Sequence, residues 1–228
     1  MSTRESVLAR IREALRKEAP RPHDAPKDFV KGAEARSWLP EVPQEIESQI
    51  ALFAKNIADL RARFFEVRGE EGATAKLVEI KTSENWDQVA THRSPLLDRV
   101  VGKLALPVLY AEDRPRIEVL EKSPVGITLC DALVAQTGSV LLTAKSAGGR
   151  SLSVFPPHHV VLASCDQMLP DLPAAFELLQ KRYGGNYPSF CTFITGGSRT
   201  SDIERVLVLG AHGPRVLTII LMRDVGVA

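Results

Sequence analysis

Phe193-Ile-Thr-Gly-Gly-Ser-Arg-Thr-Ser-Asp-Ile-Glu-Arg-Val-Leu-Val-Leu-Gly-Ala-His-Gly-Pro214 is the segment around which the rest of the chain is arranged. An apolar run from Phe190 to Ile194 stops at Thr195, and Gly196 and Gly197 follow. Adjacent glycines allow positive φ and let a ligand approach backbone N–H groups. Ser198, Arg199, Thr200 and Ser201 then supply hydrogen-bond donors, and Ser201-Asp-Ile-Glu204 has the form of a capping box. A strand that ends in a glycine turn and feeds a helix N-terminus is a physical recipe for holding an anion. The alternative is that Asp202 and Glu204 satisfy the helix dipole themselves.

A second block, Val125 to Thr143, reads the same way. A strand ends near Thr128, which caps a short helix running through Ala135. The chain turns at Thr137-Gly138, and Ser139 leads into a strand through Thr143. In open α/β sheets ligands sit outside the carboxyl ends of the strands, so the turns after Thr128 and Thr195 are expected to face one crevice. Lys145 to Arg150, with Gly148 and Gly149, either overhangs that crevice or is an ordinary hairpin connection.

Outward from these blocks the periodicity alternates. Ile46, Ile50, Phe53, Ile57 and Leu60 mark a helix over Gln44 to Arg61. Phe64 to Val67 reads as a strand, Ala73 to Ile80 as a helix and Leu106 to Tyr110 as a strand. Pro156 to Ala163 follows as a strand, Leu169 to Tyr183 as a helix and Val216 to Leu221 as a strand. Val206 to Leu209 fits either a strand or a helical face. The expected fold class is α/β: a Rossmann-like open, mostly parallel sheet with helices on both faces.

The first 43 residues read differently. Ser2-Thr-Arg-Glu5 opens a helix with Val7, Leu8, Ile11 and Leu15 on one face, and a proline-rich stretch from Pro20 to Pro43 follows. Residues 1–43 are therefore expected to form an arm that packs on the main domain or on a second protomer, giving a possible homodimer. Residues 44–228 form one α/β domain.

With 29 basic and 28 acidic residues the net charge is +1, which excludes charge-driven binding to nucleic acid or an anionic membrane. Cys130, Cys165 and Cys191 form no Cys-x-x-Cys pair, which argues against an iron–sulfur cluster in the chain, a zinc ribbon or a disulfide framework. No apolar run reaches the ~20 residues of a membrane span, and the N-terminus has no secretory pattern; a cytoplasmic location is expected. His158 and His159 are adjacent in a strand and point to opposite faces, so no metal site is expected there. Neither a dinucleotide fingerprint nor a P-loop is present. Gly196-Gly-Ser-Arg-Thr200 departs from a nucleophile elbow at its last place, and Ser198, His212 and Asp202 supply only the residue types of a triad. His212 is either an acid/base group or a turn histidine bonded to backbone. The candidate acid/base residues are Asp131 and His212. The candidate ligand-binding residues are Thr137, Gly138, Ser139, Gly196, Gly197, Ser198, Arg199 and Thr200.

Four motifs in order carry a resemblance that spans nearly the whole chain. They are Gly126-Ile-Thr with Asp131-Ala-Leu-Val-Ala-Gln-Thr-Gly-Ser-Val140, Pro156-Pro-His-His-Val160, Ile194 to Glu204, and Gly210-Ala-His-Gly-Pro214. They resemble the lactate-utilisation protein C family, the LUD-domain proteins. The resemblance implies a domain related to ribose-5-phosphate isomerase, glucosamine-6-phosphate deaminase and class I CoA-transferases. It also implies a place in a multi-protein system, with iron–sulfur partners, that oxidises L-lactate to pyruvate. Gly197 stands where relatives often have proline, so the loop is expected to be looser. Gln136 stands where CoA-transferases have a nucleophilic glutamate, which disfavours CoA transfer. Lactate oxidation moves two electrons and requires a flavin, a nicotinamide or iron–sulfur centres. The expected role is an accessory, ligand-binding subunit with no cofactor of its own. The alternative is a stand-alone isomerase- or transferase-type enzyme acting on a small phosphorylated or carboxylated substrate.

Overall fold

The computed structural model describes residues 3–16, 40–200, 208–209 and 213–224. Helix α1 (Thr3–Arg16) belongs to a unit separate from the rest and is described by itself. From Pro40 onward, α2 (Ile46–Asp59) buries Ile50, Phe53 and Ile57 on one face, as their spacing predicts. β1 (Arg63–Arg68) leads straight into α3 (Gly69–Glu84), which ends where Asn85 takes a left-handed conformation. β2 (Val89–Thr91), α4 (Pro95–Gly102), β3 (Val108–Tyr110), α5 (Ile117–Lys122) and β4 (Val125–Thr128) follow. Then come β5 (Ala132–Val134), β6 (Ser139–Thr143), β7 (His158–Ser164), β8 (Met168–Leu169), α6 (Leu172–Tyr183) and β9 (Cys191–Ile194). Short β10 (Arg199–Thr200) pairs antiparallel with β11 (Val208–Leu209), and β12 (Val216–Arg223) ends the described chain.

The main sheet has the order β1-β12-β7-β4-β2-β3, and every pairing in it is parallel. Its central strands are buried on both faces, which is why β7 and β12 read as continuous apolar runs. Val125, Ile127, Val160, Leu162, Ile220 and Met222 pack against α3 and α4 on one face. Val161, Ala163, Leu217, Ile219 and Leu221 face the other way, onto α2 and a second sheet.

That second sheet is absent from the sequence expectation. Its order is β8-β5-β6-β9, with β5–β6 and β6–β9 antiparallel. Leu133, Val140 and Leu142 face the main sheet, whereas Ala132, Val134 and Leu141 lie beneath Ala175 and Leu179 of α6. The short helix predicted through Ala135 is therefore corrected to a strand. Ala132–Val134 is fully buried between two layers, and pairing on both edges overrides the local propensity of so short a segment.

The connections place the site. The chain crosses from β1 through α3, β2 and α4 to β3 over the face that carries α3 and α4. Leu120 of α5 packs on Ala90, which points away from its neighbour Val89 and so from that face. The chain thus returns over the opposite face, and the strand order reverses between adjacent β2 and β4. The carboxyl ends beside such a switch point are where open parallel sheets hold ligands. Among the described residues no helix is long and apolar enough to cross a membrane.

Candidate functional site

Two clefts lie at opposite ends of the main sheet. The first is at the carboxyl edge. Leu129-Cys130-Asp131 leaves β4, and Cys165-Asp166-Gln167 leaves the neighbouring strand β7. Gln167 joins the two departures: its Nε2 donates to the Cys130 carbonyl at 2.6 Å, and its Oε1 accepts the Ser164 N–H at 2.9 Å. The cleft, of about 390 Å³, is lined by Leu129, Asp131, Lys145, Gln167, Arg182 and Tyr183 among others.

Asp131 is the centre of this cleft's chemistry and is only 2% exposed. Its Oδ1 accepts from Arg182 Nη1 at 2.6 Å and from the Tyr183 hydroxyl at 3.0 Å. Its Oδ2 is buried and has no hydrogen-bond partner among the described residues. Burial raises the Tyr183 phenol above its ordinary value; the Thr143 hydrogen bond opposes the shift and the Asp131 charge adds to it. Lys145 Nζ stands over the Tyr183 ring, 5.3 Å from its centroid. Cys130 is buried, and burial first, then the Asp131 charge, pushes its thiol up; it is no thiolate nucleophile. Beside the cleft, His92 follows β2, and its Nε2 accepts the Leu129 N–H at 3.5 Å. The loop that carries Lys145 is seated on His92: a Cβ on Gly148 would lie 2.2 Å from the His92 Cβ.

The second cleft, of about 350 Å³, is at the amino edge, where β7 and β12 begin. Gly196, Gly197, Ser198, Gly213, His159 and Ser153 contribute to its wall. Gly196 has φ +87, and a Cβ on Gly197 would come 2.6 Å from the Arg215 carbonyl. Ser198 N–H donates to the Pro214 carbonyl at 2.8 Å. Close approach of two chain segments thus accounts for glycine at 197. His159 is fully buried; its Nε2 and Thr128 Oγ1 are 2.9 Å apart, and its Nδ1 has no partner among the described residues. Burial, with a smaller contribution from His158, pushes the imidazole down to about 3, so it is neutral at physiological pH.

The predicted site residues divide among three places. Asp131 lines the carboxyl-edge cleft, and Gly196, Gly197 and Ser198 line the amino-edge cleft. Thr137, Gly138 and Ser139 line neither. Gly138, at φ +63, lies against α2, where a Cβ would be 3.1 Å from Asn56, and Asn56 Nδ2 bonds the carbonyls of Ala135 and Gln136. Thr137 Oγ1 donates to Ser139 Oγ at 2.7 Å, which lies 2.7 Å from Thr195 Oγ1. The expectation that the corners after Thr128 and Thr195 share one crevice is corrected: the corners that meet are those at Ser139 and Thr195, because β6 pairs with β9 in the second sheet. Arg199–Thr200 is extended and pairs with Val208–Leu209. The capping-box helix from Ser201, together with Asp202 and His212, lies outside the described residues.

His158 and His159 sit on opposite faces. His158 Nδ1 is 2.8 Å from Glu84 Oε2, and its Nε2 is 2.8 Å from Thr218 Oγ1. Burial lowers the His158 imidazole against the opposing pull of Glu84. Among the described residues no group of three or more His, Cys, Asp or Glu is placed to hold a metal ion. Sequence reasoning missed Arg182 and Tyr183. They end α6 just before Gly184, where a basic residue ordinarily serves only the helix dipole.

A family model described as the LUD domain matches residues 49–222. Proteins named Lactate utilization protein C are similar over part of the chain. That of Bacillus velezensis is 36% identical over 110 residues, 47% of this chain and 46% of the relative. That of Anoxybacillus flavithermus is 34% identical over 111 residues, 49% of each. That of Bacillus subtilis is 33% identical over 110 residues, again 47% and 46%. The match spans about half the length of these relatives. The crystal structure of a DUF162 family protein from Deinococcus radiodurans has the same fold, with a TM-score of 0.63 over 79% of this chain and 99% of that one, at 23% identity. Because the family model covers more than half of its residues, the chain belongs to the LUD domain family.

Proposed function

We propose that the chain is an accessory, ligand-binding subunit of a cytoplasmic L-lactate utilisation system. In that system L-lactate is oxidised to pyruvate, and the electrons pass through partner iron–sulfur proteins rather than a redox centre in this chain. The observation that carries this reading is the LUD match, together with the similarity to proteins named Lactate utilization protein C. The turn at Gly196, Gly197 and Ser198, continued by Arg199 and Thr200, is our assignment for a small anionic ligand, because it forms the wall of a cleft.

A second reading rests on one feature. Asp131 is a buried carboxylate with one oxygen unpartnered beside two cationic side chains, which suits an acid/base group in an isomerase- or transferase-type enzyme. Affinity purification of the tagged chain from its source cells separates the two. Iron–sulfur proteins in the eluate, with lactate-dependent reduction of an acceptor dye only when they are present, support the accessory role. Visible flavin or iron–sulfur absorption in the chain purified alone, with lactate turnover, overturns it.

A further inference from the structure

We propose that the carboxyl-edge cleft binds a small carboxylate that also bears a hydroxyl group, its carboxylate facing Lys145 and its hydroxyl donating to Asp131 Oδ2. The choice of lactate as first probe rests on the proposed function; the site itself rests on the following observations.

Asp131 is 2% exposed and anchored by two donors on one oxygen only. A carboxylate oxygen buried without a donor is an unfavourable arrangement unless a ligand supplies one. Lys145, Arg182 and Asp166 line the same cleft; Asp166 accepts from the Ser164 hydroxyl, and Lys145 attracts a carboxylate. Arg182 is already engaged with Asp131 Oδ1, and Lys145 is exposed, 5.3 Å from the Tyr183 ring centroid, so the lysine is the cation available to turn toward a ligand. A hydroxyl donor and a carboxylate on one small molecule satisfy both groups together. The cleft, at about 390 Å³, lies within the range of about 300–1,000 Å³ usual for small-molecule sites. It opens between the carboxyl ends of β4 and β7, one strand over from the switch point between β2 and β4, on the edge of the sheet where open parallel sheets hold ligands.

The test is calorimetric titration of the full chain with L-lactate, D-lactate, glycolate and propionate. At least one hydroxy-carboxylate is expected to bind saturably and at least about tenfold more tightly than propionate, which lacks the hydroxyl. Lys145→Met is expected to weaken every carboxylate while the hydroxyl preference survives. Asp131→Asn, which presents an amide where the carboxylate oxygen stood, is expected to erase that preference. Thermal melts of both variants check that they are folded, and Lys145→Met, being at an exposed position, keeps the test decisive if Asp131→Asn unfolds. Propionate binding as tightly as the hydroxy-carboxylates, no saturable binding by any of the four, or affinities unmoved in folded Lys145→Met would overturn the proposal. Glycolate binding without lactate binding would uphold the site and count against the lactate reading instead.

Discussion

The two clefts are built from opposite materials. At the amino edge the wall is glycine backbone with apolar and hydroxyl side chains, and the titratable group in it, His159, is a neutral ring held by Thr128. At the carboxyl edge the wall is a fixed ion pair, a phenol and a lysine. The sequence motifs mark the first cleft most loudly, yet its glycines are accounted for by the backbone: Gly197 by close packing against Arg215, and Gly196 and Gly213 by their positive φ. The second cleft is nearly silent in the sequence because its members are common residues far apart. Motif density therefore tracks where backbones crowd together, and side-chain chemistry has to be located by topology.

The largest expected effect breaks the carboxyl-edge cleft through its loop. Gly148 has φ +62, and a Cβ there would lie 2.2 Å from His92 Cβ and 2.7 Å from its Cγ. Gly148→Ala adds left-handed strain and overpacking, each about 1–3 kcal/mol, so the variant should lose about 2–6 kcal/mol of stability. Gly149 also has positive φ, +108, but a Cβ there meets nothing within 4 Å, so Gly149→Ala should lose only the strain part. Urea unfolding of the pair measures the difference. Equal losses would mean that His92 does not hold the loop in place.

The next effect belongs to the amino edge and depends on pH. The folded imidazole of His159 is pushed down to about 3, against an ordinary value near 6.5. Between those values the unfolded chain takes up a proton that the folded chain refuses, so stability falls as pH falls, by about 1.4 kcal/mol per unit. His158, also lowered by burial, adds to the slope. Glu84 acts in the same sense. Burial favours its neutral form, but the Arg63 hydrogen bond and the His158 charge outweigh it and keep the carboxyl below its ordinary value. Its contribution, present above the ordinary value of 4.5, is likewise lost on acidification. Urea midpoints taken from about pH 7 to about pH 5 should fall steadily, and His159→Gln should flatten the curve. An unchanged slope in His159→Gln would show that the ring titrates normally.

Legibility in the sequence followed burial. Helix α2 and strands β7 and β12 could be read because their apolar residues recur at one period or run unbroken through the sheet. Ala132–Val134 could not, since three small or branched apolar residues fit a helix turn as well as a strand, and only the pairing partners at Leu141 and Met168 decide. β2 was invisible for the same reason: Val89–Thr91 is three residues long. Asp131 was legible as a candidate, but its partner Arg182 lies 51 residues away. They meet because Ala175 and Leu179 seat α6 on the outer face of the second sheet, the layer absent from the sequence reading.

Binding measurements set the clefts against each other more finely. If the Gly196–Thr200 turn holds an anion through the Arg199 guanidinium, Arg199→Ala should weaken inorganic phosphate or sulfate by about 1–3 kcal/mol, as lost charge-assisted hydrogen bonds do. The same variant should leave hydroxy-carboxylate affinity untouched, because the wall at Gly196–Ser198 belongs to the other cleft. Unchanged phosphate affinity would remove Arg199 from the site; a joint loss would mean that the two clefts bind one ligand between them.

The smallest expected effect is on stability and is the sharpest control. Lys145 is exposed, and its described contact is the Tyr183 ring at 5.3 Å, a cation–π pair worth about 0.5–1 kcal/mol at an exposed site. Lys145→Met keeps the aliphatic stem against that ring and removes only the charge, so its unfolding free energy from urea titration should fall by no more than about 1 kcal/mol. The ion pair beneath behaves differently. Arg182 Nη1 bonds a carboxylate that is 2% exposed, and its removal leaves that charge buried without its cation. Arg182→Met should therefore cost about 3–5 kcal/mol, discounted toward the lower end because the arginine side chain is itself 46% exposed. Two cations lining one cleft are thus separable, one structural and one free to meet a ligand. If Lys145→Met destabilised the fold as much as Arg182→Met, the lysine would be part of the frame, and the carboxyl-edge cleft would be a packing feature like the glycine turn at the other end.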